Sequence, residues 1–495
     1  MRNKWAVLAI ACTATLLLSI DLTVLHLALP RLVGDLGATS TQLLWIGDIY
    51  GFALAGLLIT MGNVGDRIGR KKLLLLGTVA FGVASVVTAY APNPELLIAA
   101  RALLGVAGAT IMPSTLSIVR DVFTEPGERT MAVGIWSGMA AGGFALGPVI
   151  GGVLLDHFWW GSVFLVNVPV TAVLVVAGAL ILPESRNPRP GRIDLLSVLL
   201  SVTGVVGVIY AIKELADRGL GHFPGQVAAV VGVVALVLFC LRQVRLAEPL
   251  IELRLFRRRA FSASIATNLL AIFAMMAMNL VSVWYFQMVL GWSPLQAGLG
   301  SLPGALAAAG GGALAPVLIA RLGRNGLVAA GLLLAAASFA YYYTLGLELN
   351  YLLLVGPMML GGIGIGFIFT VNNDNVLATA PRERAGAAAA ISETSFELGG
   401  ALGIAVLGTV LNTAYTSAMT GPEAARESLA GAIEVAATLP AEQAGPLLTM
   451  ARQAFVDGMH VTALVTAAIL AGVALLAYFG LRGVPKVIPE ELLSH

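Results

Sequence analysis

The chain has 495 residues, of which 58% are hydrophobic and 11% charged, and its mean hydropathy is +0.89. A soluble domain carries about 25% charged residues, so this composition excludes one and gives an all-α integral membrane protein. The net charge of +2 says nothing about partners, since in a membrane chain the placement of charges matters more than their sum. No nucleic-acid partner is expected, and Cys12 and Cys240 both lie in apolar stretches, so no disulfide framework is implied.

Fourteen apolar segments are long enough to span a bilayer, starting near residues 5, 43, 73, 96, 130, 161, 193, 223, 261, 296, 326, 350, 385 and 459. Arg2 and Lys4 precede the first as in a signal peptide, but the run is too long and lacks a small-x-small site, so it reads as an uncleaved span. Most of the 29 lysines and arginines then fall on one side. The other side receives Arg31, Lys213, Arg218, Arg426 and Arg452, and Arg101 lies inside a span. The positive-inside rule therefore places both termini in the cytoplasm.

The first span contains Asp21, the second Trp45, Asp48 and Tyr50, and the fourth Arg101. The second ends in GNVGDRIGRKK, where Gly62, Gly65 and Gly69 permit close helix approach and Asp66 stands beside Arg67 and Arg70. Gly143, Gly147 and Gly151 recur every fourth residue in the fifth span, giving a flat packing face, and Pro148 removes a backbone donor there. DRIGRK (66–71) has an echo in ARLGRN (320–325), each between two spans. If these loops are equivalent, spans 1–6 (1–192) and 9–14 (260–495) are two six-helix halves, and spans 7 and 8 with a cytoplasmic linker (193–259) are inserted.

In the twelfth span, Asp374 of NNDN reads as a helix-end cap. The thirteenth carries Glu393 and Glu397, one helical turn apart, with Phe396 between them. Residues 412–458 form a long outer loop split by Pro440, with two short amphipathic helices expected as a solvated cap.

GNVGDRIGRKK resembles the signature of the major facilitator superfamily, LIAARALLGVAGA its buried-arginine motif and GFALGPVIGG its antiporter motif. IDLTVLHLALP and LLWIGDIYGFALAGLL narrow the likeness to its fourteen-span drug:proton antiporters. The resemblance covers the whole chain. It implies a major facilitator fold, a bacterial inner-membrane location and a gate made by Asp66 against the start of span 13. His26 departs from the family's usual Asn, and span 10 reads GALAAAGGGALA where some relatives carry an acid, which puts dicationic cargo in doubt.

Ionisable residues within spans are functional hypotheses by default, since an ionised carboxylate near the bilayer centre costs about 2.5–3.5 kcal/mol. At 1.5 Å per residue, Asp21 lies roughly 13 Å below the outer end of its span and Asp48 and Arg101 roughly 10 Å below theirs, so the three can share one layer facing an outer cavity. Asp21, Arg101, Glu393 and Glu397 are the candidate proton-coupling set. Asp48, Glu393, Glu397, Trp45, Tyr50 and Phe396 are the candidate cargo contacts, and Trp136, Trp284 and Tyr285 are weaker aromatic candidates. A permanent pair of Arg101 with Asp21 or Asp48 is the structural alternative.

The expected activity is export of lipophilic cations against protons. A lipid, siderophore or endogenous metabolite is the rival cargo for the same machine. No Gly-Lys dipeptide is present for a P-loop, and no HExxH or GxSxG, so neither an ATP-driven pump nor an enzyme is expected. No metal or cofactor is called for, and the partners are protons, cargo and lipid around a single chain.

Overall fold

The computed structural model describes residues 4–38, 40–186, 194–219, 221–246, 249–380 and 385–485, and among them there are helices and no strands. The first seven helices are α1 (Lys4–Leu36), α2 (Ser40–Ile68), α3 (Arg70–Ala89), α4 (Pro94–Val122), α5 (Pro126–His157), α6 (Ser162–Leu165) and α7 (Asn167–Ile181). They pack on one another, chiefly α1 on α5, α2 on α4 and α3 on α4 and α7. Two helices, α8 (Leu195–Arg218) and α9 (Phe223–Arg245), pair with each other.

The remainder comprises α10 (Arg259–Trp284), α11 (Pro294–Tyr341), α12 (Tyr351–Thr379), α13 (Ala385–Ala418), the short α14 (Glu423–Glu427) and α15 (Leu429–Ala437), and α16 (Ala441–Gly480). Here α11 packs on α12 and α16, and α10 on α13 and α16. Twelve helices are long and apolar enough to cross a membrane, among the described residues. Their sequences are apolar on nearly every side, as expected of helices surrounded by lipid and by one another. Exposed Leu180, Leu195, Val230 and Leu352 accordingly face outward.

The echo between DRIGRK and ARLGRN is structural. Gly69 (φ 112°) joins α2 to α3, and Gly323 (φ 73°) breaks α11 into two helical segments at the equivalent position. Both bends need a left-handed backbone that a side chain would strain. The two groups of helices meet along α5 against α11 and α12, and along α2 and α4 against α13, while α8 touches both α2 and α13.

The expected outer loop 412–458 is corrected at both ends. Residues 412–418 belong to α13 and residues 441–458 to α16, which runs unbroken into the last apolar segment, and only α14 and α15 form a separate cap. Tyr415 donates from its hydroxyl to the Ala425 carbonyl at 2.8 Å and ties the cap to α13. Leu429, Ala432 and Ala436 bury the cap's apolar face against Phe455 and Met459. The side chains of His26 and Pro148 lie outside the described ones.

Candidate transport site and its locked end

Asp21 does not face a cavity. It is fully buried within the first group of helices, paired with Arg101 of α4 at 2.8 Å, and accepts a 2.8 Å hydrogen bond from Asn167 of α7. Asn167 also donates to Ser85 of α3. Arg101, 1% exposed, lies 4.8 Å from the Tyr50 ring and 5.8 Å from Phe164, so its charge is met by one carboxylate and two aromatic faces. Tyr50 is buried as well, and its hydroxyl has no hydrogen-bond partner among the described residues. That hydroxyl stands within electrostatic reach of Asp21, Arg101 and Glu397.

Asp48 lies on α2 between Ile46 and Tyr50, both of which meet Arg101, but its carboxylate turns to a different partner. Its partner is Lys213 of α8, a residue that charge counting assigns to the outer side. The Lys213 ammonium sits 5.3 Å from the Phe52 ring. Trp45 stacks on Tyr210, with ring centres 6.2 Å apart and planes 23° from parallel, beside the same Phe52.

Glu393 and Glu397 project from the middle of α13, the helix that touches α2, α4 and α8. Glu393 is 5% exposed, and its Oε1 has no hydrogen-bond partner among the described residues. A buried polar atom left in that state is uncommon and costs roughly 1–3 kcal/mol. Glu397, half-buried, lies within electrostatic reach of Lys213. Phe396 packs edge-on against Phe369 at 5.2 Å. Trp136 donates to Thr115, and Tyr285 to the Gly346 carbonyl, so both are packing residues with satisfied polar ends.

One end of the assembly is closed by charged contacts between the two groups. Asp66, 6% exposed, accepts from Arg70 at 2.9 and 3.0 Å and from the backbone N–H of Gly386 at 3.3 Å, at the start of α13. A carboxylate at a helix N-terminus complements its positive dipole. The AGAAAA run opening α13 lets α2 come close: a Cβ on Gly62 would stand 2.5 Å from the Gly386 carbonyl oxygen. Arg70 also pairs with Asp121 of α4. Arg67, expected in this gate, is exposed.

A second lock escapes any local reading of the sequence. Asp374 is fully buried and is no helix-end cap: it accepts from Arg129 of α5 at 2.8 Å, from Arg324 of α11 at 2.7 Å and from the Thr130 hydroxyl at 3.0 Å. Arg70 with Asp121 in one group is thus mirrored by Arg324 with Asp374 in the other. Arg120 and Arg258 add hydrogen bonds to the carbonyls of Ala380 and Thr379, at the end of α12.

The glycine face of α5 packs within its own group, where Gly143 meets Ser19 and Gly147 meets Thr23, both on α1. The opposite face carries the contact between groups: a Cβ on Gly312 of α11 would stand 2.7 Å from the Gly134 carbonyl oxygen. GALAAAGGGALA therefore has no room for an acid at Gly312. A crevice of about 250 Å³ between α5 and α11 is lined by Thr130 and Arg324 of the second lock, and neither glutamate lines it.

Two helical groups locked at one end around buried acids are what alternating access requires. The sequence profile of the Major Facilitator Superfamily matches residues 11–404. The chain belongs to that superfamily. As a superfamily member it is a transporter in type and not an enzyme. It is 41% identical over 480 residues to the multidrug efflux pump LfrA of Mycolicibacterium smegmatis, covering 95% of each chain. It is 35% identical to the methyl viologen resistance protein SmvA of Salmonella typhimurium, over 92% of this chain and 94% of that one. The tetracenomycin C resistance and export protein of Streptomyces glaucescens is 31% identical over 99% of this chain and 94% of its own. The human organic anion transporter MFSD10 shares the fold, with a TM-score of 0.65, 15% identity and coverage of 96% of this chain and all of that one.

Proposed function

We propose that this superfamily member exports lipophilic cationic drugs from the bacterial cytoplasm in exchange for protons, as a single chain in the inner membrane. The efflux and resistance relatives support drug export. The observation that carries proton coupling is Glu393, a buried carboxyl in α13 with an unpartnered oxygen. Burial makes its charge costly, and either a proton or a bound cation removes that cost, so each excludes the other. That competition is the coupling.

Asp21, paired with Arg101, belongs to the same electrostatic unit through Tyr50, which stands within reach of both Asp21 and Glu397. Returning a proton offsets the roughly 2.3 kcal/mol needed to move a monovalent cation outward against 100 mV. The Asp66 and Asp374 locks then form the cytoplasmic gate, broken when the cavity opens inward.

In this reading the chain has fourteen spans. The 32-residue α5 joins the twelve apolar helices, and α11 counts as two spans meeting at Gly323. Both termini are cytoplasmic, α8 and α9 are the inserted pair, and the six-helix halves lie on either side of them.

The test is ethidium uptake by inverted vesicles. Uptake driven by an imposed pH gradient and abolished by its collapse is expected, and uptake indifferent to that collapse rules out antiport.

A further inference from the structure

The ammonium of Lys213 occupies a setting built for a different guest. Asp48 supplies a carboxylate and Phe52 a ring face 5.3 Å away, while Trp45 and Tyr210 stand stacked beside that ring. Their floor is apolar, made by Ala55, Val205, Ile209, Leu398 and Ala401. A carboxylate set among aromatic faces over an apolar floor is the recognition chemistry of a bulky organic cation. The site is also open: the Lys213 and Asp48 side chains are 41% and 33% exposed, in contrast to the sealed Asp21–Arg101 pair.

Lys213 reaches this place on α8, which touches both α2 and α13. The neighbouring acid on α8, Glu214, pairs with Arg218 at 3.3 Å, and Asp48 pairs with Lys213. Glu397 is the other acid within electrostatic reach of the ammonium.

We propose that Lys213 is a built-in competitor for the cargo: its ammonium fills the Asp48–Phe52–Trp45–Tyr210 site when no organic cation is present, and an incoming cation must displace it. This rests on the cation-export reading above. It makes α8 a determinant of specificity, because a cation binds here only if its rings and charge together outbid a tethered ammonium for the same partners. A second consequence is that the displaced ammonium is free to approach Glu397, so that a filled outer site and a neutralised inner acid go together.

The experiment is calorimetric titration of the purified full-length protein with tetraphenylphosphonium. Lys213→Gln is expected to tighten binding roughly two- to fivefold, the equivalent of removing an open ion pair of about 0.5–1 kcal/mol. Lys213→Arg should bind as the unsubstituted protein does, and Asp48→Asn should cancel the gain from Lys213→Gln. If Lys213→Gln fails to fold, Lys213→Cys in a Cys240→Ser background is alkylated instead. Aminoethylation should then return the original affinity, and methylation should give the tighter one. Unchanged or weaker binding by a folded Lys213→Gln protein, or identical affinities after the two alkylations, overturns the inference alone. Absence of any binding by the unsubstituted protein overturns the cation-export reading, and this inference with it.

Discussion

Asp374 of α12 and Arg129 of α5, 2.8 Å apart and both buried, join the two helical groups by a charge pair. Arg324 completes the arrangement from α11, so one carboxylate answers two guanidinium groups. Removing one partner from such a set leaves buried charge uncompensated, at about 3–5 kcal/mol. Asp374→Asn should therefore lower the melting temperature in detergent and abolish transport, while Asp35→Asn, at an exposed position, changes neither. A thermal unfolding series on the two variants decides it.

The Asp66 lock fails for a steric reason as well as an electrostatic one. Any side chain at Gly62 meets the Gly386 backbone. Gly62→Val should fold, because the clash arises only when α2 and α13 close, but should populate the open state and lose transport. Distances between spin labels on the adjoining ends of α2 and α13 should lengthen relative to the unsubstituted protein.

The two buried acids separate by their partners. Asp21→Asn leaves Arg101 buried and unanswered, so a loss of stability of about 3–5 kcal/mol is expected. Glu393→Gln removes no ion pair shown by the structure, so folding should be unchanged or improved while coupling to protons is lost. Melting temperatures should fall for Asp21→Asn and hold for Glu393→Gln, while gradient-driven uptake is lost in the well-folded Glu393→Gln protein.

Outside the apolar segments, Asp194 caps α8 and takes two hydrogen bonds from Arg242 of α9, at 2.6 and 3.0 Å. Those bonds, with that from the Ser197 hydroxyl, hold the Asp194 carboxyl well below the usual carboxylate range. A depressed value favours the ionised form in the fold. Its stabilisation is therefore complete above the unfolded value of about 3.9 and is lost only as pH falls through the lower folded one. The melting-temperature difference between the unsubstituted protein and Asp194→Asn should stay constant from pH 8 to pH 5 and shrink only in stronger acid.

Helix positions were legible because each apolar run is bounded by charges or by Gly and Pro, and the Gly69–Gly323 bends carry the internal echo directly in sequence. The approach of α2 to the start of α13 came from the family resemblance, and Gly62 and Gly386 are what make it close. Asp374 was not. A single Asp near a helix end satisfies the local rule for a cap, and its true partners lie on α5 and α11. The available signal was Arg324, which repeats Arg70 in the echoed loop and calls for an acid as Arg70 does. The pairing of Lys213 with Asp48 does not follow from counting charges by side, which gives no partner, whereas a long stem lets its ammonium reach an aromatic surface. The sequence from Ala441 reads as a short helix of the outer connection because hydropathy falls there, yet helix-forming Ala, Leu, Met, Gln and Arg continue, and the helix runs on into the last apolar segment.

Cargo and proton are proposed to exclude one another at Glu393 and Glu397. The most direct measurement is proton release when tetraphenylphosphonium binds the purified protein in weakly buffered solution near neutral pH. Binding should acidify the unsubstituted protein's solution, and it should leave that of the Glu393→Gln/Glu397→Gln variant unchanged. Tight binding with no proton released by the unsubstituted protein would contradict the account.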